Sequence, residues 1–251
     1  TQVGTGNYNE KTAAQYTDLS LMTADPDIGR DAVELFKNLS IGELDGEYGR
    51  LLVAPRSLKR TLLKLMDEQI ARGPLGRMRF KVNSVTDMDI IEKLREASRA
   101  GVRIDMIVRG ICCILPGIPG ETDNIRVVSI VGRFLEHSRI YCFGEGEGEK
   151  LYISSADFMT RNTQRRVETA CPIYDAGARA RLRRIMELCL ADNVKARELR
   201  PDGSYAPARG GAERVDAQQL QMDLALAAEA APEPPAGREG PISRLIKRLK
   251  S

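Results

Sequence analysis

Apolar and polar positions follow regular patterns along the chain, and the clearest of them predicts two strands separated by a helix. Apolar side chains alternate with basic ones over Met78–Val82, and the mostly apolar Arg103–Val108 predicts a second strand. Between them, apolar residues recur at helical spacing over Asp87–Ala100, and Gly101 follows as a helix stop. A strand, helix and strand within about thirty residues predict a βαβ unit, whose two strands normally pair in parallel.

Further elements follow from the same patterns. Helices are predicted at Ile28–Asn38, Leu58–Ala71, Ala176–Leu190 and Ala217–Ala231. Strands are predicted at Ile125–Ile130, Ile140–Phe143, Leu151–Ile153 and Arg166–Ile173, with a short apolar run at Leu51–Ala54. The expected connections are a polar segment up to Ala24, a loop at Gly110–Asn124, an exposed hairpin connection at Gly144–Glu149 and irregular structure at Pro201–Gly211. This order predicts an α/β or α+β fold in which helices flank a mixed sheet.

The two ends of the chain differ in character. The segment Thr1–Asn7 is typical of the end of a strand that runs into a Gly-rich loop, so we expect the chain to be cut at this point. Beyond Asp192 the pattern weakens, and Pro232–Gly237 is typical of a linker. The last stretch, Ile242–Lys250, is basic and amphipathic. We interpret it as a solvated or weakly docked tail rather than as a contact with an anionic surface.

Composition and charge narrow the class of protein without identifying a ligand. The 251 residues can form one large or two modest domains, and 42% hydrophobic and 29% charged residues are ordinary for a soluble globular protein. The net charge of +3 indicates neither nucleic acid nor membrane as a partner, and no apolar run approaches the ~20 residues of a membrane span. Five cysteines without a metal-binding spacing or a secretory signal indicate a reducing cytoplasm.

The single histidine of the sequence lies among residues that suit phosphate chemistry. His137 stands between Arg133 and Arg139, just before a predicted strand. Arginine binds phosphate oxygens bidentately, and an imidazole can protonate or accept from a bridging oxygen. Ser154 and Ser155 end the following strand and could donate to non-bridging oxygens. A lone histidine is more often structural, however, and the two arginines would equally suit surface salt bridges.

Other candidate phosphate contacts lie in loops after predicted strands. Gly6 and Asn7 belong to a Gly-rich loop whose backbone amides could approach an anion. Arg109 ends a strand of the βαβ unit, where α/β sheets usually bind ligands. Arg161 opens a group of arginines that could line a path for a polyanion, although such a group is more often a solvated face.

Taken together, these segments resemble the bacterial polyphosphate kinases, whose catalytic domains belong to the phospholipase D-like superfamily. The resemblance is carried by Gly4–Ala13, Tyr16–Asp18, Asp105–Cys112, Asp123–Arg126, Ser129–Arg139 and Tyr152–Asp157. It extends from the first residue to about Arg200. It implies the C-terminal remnant of a first phospholipase D-like domain over residues 1–46, a second such domain over residues 47–200, and a tail over residues 201–251.

The resemblance also implies an activity and roles for individual residues. Members of the family transfer the terminal phosphate of ATP reversibly to inorganic polyphosphate, with magnesium and through a phosphorylated histidine. Tyr16, Arg109 and His137 fall on positions that contact the nucleotide, and His137 would act catalytically at the bridging or leaving oxygen. Gln2 stands where many members carry a second histidine, and glutamine cannot take part in proton transfer.

What the resemblance implies about the complete enzyme goes beyond this chain. The phosphorylated histidine and the magnesium ligands are expected upstream, so this chain would hold no metal ligand and would be inactive alone. ATP or ADP and polyphosphate are the expected partners, and nucleic acid is not. The complete enzyme is expected to be a cytoplasmic phosphoprotein and a homo-oligomer without a transmembrane segment, with membrane association as a further expectation.

Two other functions stay open at this point. A phospholipase D-like hydrolase of phosphodiesters in lipid or DNA would normally carry two full His-x-Lys-x4-Asp motifs, whereas here Arg139 takes the place of the lysine after His137. A non-catalytic module that binds polyphosphate or nucleotide is the second alternative. Arg109 and the length of the matching segments favour the kinase.

Overall fold

The computed structural model of the chain describes residues 1–208 and 213–230, and the chain divides into two compact units, Thr1–Gln218 and Gln219–Ser251. Within the described residues the helices are α1 (Glu10–Ala13), α2 (Pro26–Ser40), α3 (Leu58–Ile70), α4 (Met88–Arg99), α5 (Thr160–Gln164), α6 (Ala176–Ala191) and α7 (Ala217–Ala230). The strands are β1 (Gln2–Gly4), β2 (Tyr16–Thr17), β3 (Ser20–Met22), β4 (Leu52–Val53), β5 (Arg77–Val82), β6 (Arg103–Val108), β7 (Ile125–Ile130), β8 (Leu135–Glu136), β9 (Arg139–Phe143), β10 (Lys150–Ser154), β11 (Thr169–Pro172), β12 (Ala196–Leu199) and β13 (Tyr205–Pro207).

One mixed sheet holds nine of these strands in the order β13-β12-β7-β6-β5-β9-β10-β11-β4. Strand β6 pairs in parallel with β5 and with β7, and the other pairs of this sheet are antiparallel. The predicted βαβ unit is therefore confirmed. Two smaller pairings lie outside the sheet, β1 with β3 and β2 with β8. The predicted α/β fold, a mixed sheet with flanking helices, is confirmed as well.

Aspartate side chains set the starts of three helices. Asp25 caps α2 and Asp87 caps α4, each by accepting hydrogen bonds from two backbone amides of the first turn. Asp175 caps α6 through one such bond. These bonds satisfy amides that have no partner inside the helix. Helix α4 ends before Gly101, whose φ of +88° lies in the left-handed region that favours glycine, as the sequence predicted.

Strand β5 separates two layers of the core because its side chains alternate between the two faces of the sheet. On one face, the ring of Phe80 lies 5.1 Å from that of Phe158 and 5.3 Å from that of Phe143, in the core formed with α3 and α4. On the other face, Arg79 and Lys81 are buried among polar partners, on the side that α6 covers. The face of β5 that carries Arg79 and Lys81 is therefore both buried and polar.

Two segments for which the sequence predicted no regular element contain short helices or strands. The segment before Ala24 contains α1, β2 and β3. Part of Pro201–Gly211 is not irregular, since Tyr205–Pro207 forms β13 and pairs with Ala196–Leu199. The strands β2, β3, β12 and β13 have only two to four residues and no run of alternating apolar side chains, so no periodicity reveals them.

The connection Gly144–Glu149 does join the hairpin of β9 and β10, but its last residue is not exposed. Glu149 is only 4% exposed, and its carboxylate forms ion pairs with Arg79, Arg179 and Arg183. Those partners come from β5 and α6. A sequence of alternating glycine and glutamate therefore could not indicate that this carboxylate is buried.

The remaining predictions concern the last strand and the tail. Strand β11 begins at Thr169 rather than at Arg166, and α7 confirms the Ala-rich helix. The predicted linker Pro232–Gly237 and the basic stretch Ile242–Lys250 lie outside the described residues. The division of the chain into domains at residues 46 and 200 stays a prediction. None of the helices in the described part of the chain is long and apolar enough to cross a lipid bilayer.

Candidate active site

Four strands bring the candidate residues to one edge of the large sheet. Asn83 follows the carboxyl end of β5, and Arg109 follows the carboxyl end of the parallel neighbour β6. Strand β9 runs antiparallel to β5, so its first residue, Arg139, lies at the same edge. Strand β10 ends there with Ser154, which is paired with Arg139. The predicted grouping at strand ends is thus produced by the pairing of the strands.

The first twenty residues reach this edge through the short parallel pair of β2 and β8. Thr17 is paired with Glu136, and the backbone amide of His137 donates to the carbonyl oxygen of Thr17 at 3.2 Å. This pairing places the Tyr16 ring against the imidazole of His137, with 4.9 Å between the ring centroids. Two of the predicted nucleotide contacts, Tyr16 and His137, therefore touch each other.

Asp18 orients the imidazole of His137. Its carboxylate oxygens lie 2.9 Å and 3.0 Å from Nδ1, and a third contact, at 2.7 Å, comes from the hydroxyl of Thr5. Burial alone would raise the pKa of Asp18. The hydrogen bonds from His137 and Thr5, with the charges of His137 and Arg139, outweigh burial and lower the pKa below its ordinary value of 3.8. Because an ionised carboxylate only accepts, Nδ1 carries a hydrogen in both the charged and the neutral imidazole, and in the neutral ring Nε2 is then an acceptor.

Arg139 connects the Gly-rich loop near the start of the chain with the loop that follows β10. Its guanidinium binds the carboxylate of Asp157 through Nε at 3.3 Å and Nη2 at 3.1 Å. Its Nη1 donates to the carbonyl oxygen of Thr5 at 2.8 Å and lies 3.1 Å from Nε2 of His137. The residue is only 7% exposed. In this structure Arg139 therefore holds the site together, and a phosphate that contacts it would compete with Asp157 or Thr5.

Arg109 extends the same network to the end of β6. Its Nε donates to Oδ1 of Asn83 and to the carbonyl oxygen of Glu136, both at 2.8 Å. The backbone amide of Asn83 donates in turn to Asp157 at 2.6 Å. Since Glu136 immediately precedes His137, Arg109 binds the short segment that carries His137. A continuous chain of polar contacts, through Asn83, Asp157 and Arg139, therefore joins Arg109 to His137.

The Gly-rich loop contributes through close packing and an adjacent cavity. A side chain at Gly6 would collide with the carboxylate of Asp18, so glycine allows the loop to lie against Asp18. Gly6, Asn7, Tyr16 and Asp18 line an open cavity of about 530 Å³, and Asn7 is exposed. The loop thus borders a space next to the predicted nucleotide contacts.

The other predicted phosphate contacts are less directly placed. Ser154 is fully buried and its hydroxyl donates to the carbonyl oxygen of Thr169. The hydroxyl of Ser155 donates to the carboxylate of Glu168. Both hydroxyls already have protein partners, so a phosphate contact would require their release. Arg133 and Arg161 are exposed, and the guanidinium of Arg133 lies over the ring of its neighbour in sequence.

Comparison with known proteins identifies the family. The family model "Polyphosphate kinase C-terminal domain 2" matches residues 51–218, and "Polyphosphate kinase C-terminal domain 1" matches residues 1–44. The chain belongs to the polyphosphate kinase family. The predicted resemblance is therefore confirmed at the level of the family.

Individual polyphosphate kinases match most of this chain and about a third of their own length. The polyphosphate kinase of Bacillus anthracis is 48% identical over 227 residues, which cover 89% of this chain and 32% of that protein. The polyphosphate kinase of Thermosynechococcus vestitus is 47% identical over 218 residues, which cover 84% of this chain and 30% of that protein. The crystal structure of polyphosphate kinase from Porphyromonas gingivalis superimposes with a TM-score of 0.84 at 39% identity, covering 92% of this chain and 36% of that one.

Three acidic or amide side chains of the candidate site were not singled out from the sequence. Asp18, Asn83 and Asp157 each bind a predicted residue, yet each lies in a different part of the chain. Asp18 and Asp157 are included in the segments that resemble the family, which is the one signal that marked them. Nothing in the sequence pattern marked Asn83, because its role depends on the loop that follows β5.

Carboxylate and amide oxygens, which Asp18, Asn83 and Asp157 carry, are the kind of ligand that magnesium takes in proteins. In the described ranges, no group of three His, Cys, Asp or Glu side chains lies together in a way that could hold a metal ion. Asp18 and Asp157 instead bind His137 and Arg139. The side chains in the part of the chain that the structure describes therefore do not fit a magnesium site.

Proposed function

We propose that this chain is the nucleotide-binding part of an enzyme that transfers the terminal phosphate of ATP, reversibly, to inorganic polyphosphate. The observation that carries the proposal is the meeting of Tyr16, Arg109 and His137. The rings of Tyr16 and His137 are 4.9 Å apart, and Arg109 donates to the residue that precedes His137. Proteins named polyphosphate kinase are 47–48% identical to this chain, which supports the same substrates.

Arg109 would bind the phosphate chain of the nucleotide. Its Nε is held by Asn83 and Glu136, while its two terminal amino groups have no hydrogen-bond partner among the described residues. A guanidinium fixed in this way can donate both terminal groups to phosphate oxygens. Arg109 would therefore orient the nucleotide for transfer rather than take part in proton movement.

In its protonated form, His137 would donate the hydrogen of Nε2 to the bridging or leaving oxygen, which leaves a neutral ring with hydrogen on Nδ1. Asp18 holds its Nδ1, which leaves Nε2 beside Nη1 of Arg139 at 3.1 Å. An oxygen that binds at Nε2 would therefore meet an imidazole and a guanidinium together. Such a site suits phosphoryl transfer, in which positioning and charge stabilisation supply most of the catalysis.

The other groups that the reaction needs would lie in the complete protein, outside this chain. His137 is the single histidine in the sequence and is used on the nucleotide side, so the phosphorylated histidine would lie elsewhere, upstream of these residues. Magnesium would be bound upstream as well. A cytoplasmic homo-oligomer, with association to a membrane, is proposed for the complete protein on the family resemblance alone.

The proposal is tested by measuring polyphosphate synthesis from ATP and magnesium with the complete protein. Changing His137 to Ala should lower turnover by a factor on the order of 10²–10⁴, the usual contribution of one positioned acid–base group. The melting temperature should stay close to that of the unchanged protein. Val131→Ala is a suitable control, because this side chain is 67% exposed and lies in the same segment outside the polar network. It should keep normal turnover.

Each other outcome would contradict a specific part of the proposal. Normal turnover of the His137→Ala variant would remove His137 from the reaction. Nucleotide binding without synthesis by the unchanged complete protein would favour a non-catalytic binding module. The 251-residue chain alone should make no polyphosphate, and measurable synthesis by it would place the phosphorylated residue within these residues.

A further inference from the structure

The ammonium group of Lys81 is buried in the sheet. It donates all of its hydrogen bonds to Glu136 and Ser138, the two residues on either side of His137. Lys81 is 1% exposed and lies on the polar face of β5. Its Nζ is 3.0 Å from a carboxylate oxygen of Glu136, 2.8 Å from the hydroxyl of Ser138 and 3.2 Å from the carbonyl oxygen of Ser138. An ammonium group has three hydrogens to donate. All three are therefore used on Glu136 and Ser138.

Glu136 is held in its charged form by partners from three other elements. It is 4% exposed, and its carboxylate accepts hydrogen bonds from Thr17 at 3.1 Å and from Gln218 at 2.8 Å. Burial alone would raise the pKa of Glu136. The charge of Lys81 and the hydrogen bonds from Gln218, Lys81 and Thr17 outweigh burial and lower the pKa below its ordinary value. Lys81 and Glu136 thus form an ionised pair inside the protein.

The same segment is held from its other side by the chain that carries Asp18. The backbone amides of His137 and Ser138 both donate to the carbonyl oxygen of Thr17, at 3.2 Å and 2.9 Å. Thr17 precedes Asp18, which binds the imidazole of His137. The backbone around His137 is therefore fixed between Thr17 and Lys81.

Stability alone is a weak reason for such an arrangement. Replacing a buried ion pair by apolar side chains of similar size is often neutral or stabilising, because both charges lose their hydration when they are buried. The partners of Lys81 instead suggest a specific task, since they flank the one histidine of the chain.

We propose that Lys81 is a positioning residue of the active site, which holds Glu136 and Ser138 so that Nδ1 of His137 stays on Asp18 and Nε2 stays turned to the reacting oxygen. Lys81 does not touch the substrate in this role and acts through the backbone of residues 136–138. The inference rests on the proposed part of His137 in phosphate transfer. The geometry that Lys81 holds can nevertheless be measured without any reaction.

The test uses the 251-residue chain labelled with ¹⁵N in histidine. Because His137 is the single histidine in the sequence, the spectrum contains one imidazole. At about pH 9, where an ordinary imidazole is neutral, the unchanged chain should show a single tautomer with hydrogen on Nδ1. The double variant Lys81→Met/Glu136→Gln removes both charges and leaves neither unpaired. It should fold, lose the single-tautomer signal and show a mixture of both tautomers.

A matched control comes from the same strand. Arg77 on β5 forms an ion pair with Asp105 at 2.7 Å, and the two side chains are 15% and 4% exposed. The double variant Arg77→Met/Asp105→Asn should change the melting temperature without changing the histidine spectrum. If the Lys81 variant does not fold, Ser138→Ala removes one acceptor of Lys81 without unpairing a charge. It should produce a smaller population of the second tautomer.

The outcomes separate this inference from the proposed function. A folded Lys81→Met/Glu136→Gln chain, or failing that a folded Ser138→Ala chain, that keeps the single tautomer would show that the pair is merely structural and overturn the inference. That result would leave the proposed phosphate transfer untouched. Conversely, the absence of polyphosphate synthesis by the complete protein would contradict the proposed function and would not alter the spectrum.

Discussion

Asp18 is the residue on which the state of the His137 imidazole most directly depends. Its carboxyl pKa is lowered in the folded chain, because contacts with His137, Thr5 and Arg139 outweigh the effect of burial. A carboxyl group whose pKa is lower in the folded than in the unfolded chain stabilises the fold above its unfolded pKa. That contribution is lost as the pH falls through the folded pKa. At neutral pH, Asp18 therefore favours the folded state.

Changing Asp18 to Asn should lower the free energy of unfolding at pH 7 by about 1 kcal/mol, the typical value of one hydrogen bond. The difference from the unchanged chain should shrink below about pH 4, where an unfolded aspartate takes up its proton. Urea unfolding at a series of pH values measures both effects. Asp45→Asn is the control, because Asp45 is exposed. A difference that does not depend on pH would contradict this account of Asp18.

A site residue could be predicted from the sequence where it stands in a recognisable segment. It could not be predicted where its role comes from a partner far away in the chain. Tyr16, Arg109 and His137 could be proposed because they stand in segments that resemble a family. Asp18 could not be given a role from spacing, since it is 119 residues away from His137 in the chain. Arg139 was expected to contact phosphate, and the structure gives its guanidinium to Asp157 and Thr5. Such partners depend on how the strands pair.

The elements themselves could be predicted where local chemistry marks their ends. Helices α2 and α4 were located within a few residues, because Asp25 and Asp87 satisfy the amides of their first turns. Strands β5, β6 and β7 were evident from their apolar patterns. Strands β12 and β13, the last two at one side of the sheet, were missed since they are short. Strand β12 depends on its pairing with β7, and β13 on its pairing with β12, more than on their own side chains.

Asp87 joins three helices, and its removal tests how much these contacts between helices stabilise the fold. Besides capping α4, it binds Lys59 of α3 at 2.8 Å and Thr163 of α5 at 2.6 Å. Asp87→Ala should lower the free energy of unfolding by about 2 kcal/mol, because α4 loses its cap and the buried Thr163 hydroxyl loses its acceptor, while Lys59 keeps its second partner, Asp89, at 2.6 Å. Asp175→Ala removes an exposed cap of α6 and should cost only about 1 kcal/mol. Urea unfolding of both variants compares them, and equal costs would argue against a linking role for Asp87.

For the molecule as a whole, the candidate site depends on contacts between the two stretches that the family models match. Residues 1–44 contribute Tyr16 and Asp18, and residues 51–218 contribute Arg109, His137 and Arg139. Both stretches lie in the compact unit Thr1–Gln218. They are joined at the site by the pairing of β2 with β8, by the contact of Asp18 with His137, and by Arg139. Neither stretch contains the site alone.

The contribution of Arg139 to this union can be isolated by hydrogen exchange. Its Nη1 donates to the carbonyl oxygen of Thr5, and its other nitrogens bind Asp157. Arg139→Leu should release the loop at Thr5, so amide exchange over residues 2–22 should become on the order of tenfold faster, as expected for the loss of one charge-assisted hydrogen bond. Strands β5 to β7 should keep their protection. Arg179→Leu, at the opposite end of the sheet beside Glu149, should leave residues 2–22 unchanged. If Arg139→Leu also leaves them unchanged, the pairing of β2 with β8 and the contact of Asp18 with His137 are sufficient to hold the first stretch in place.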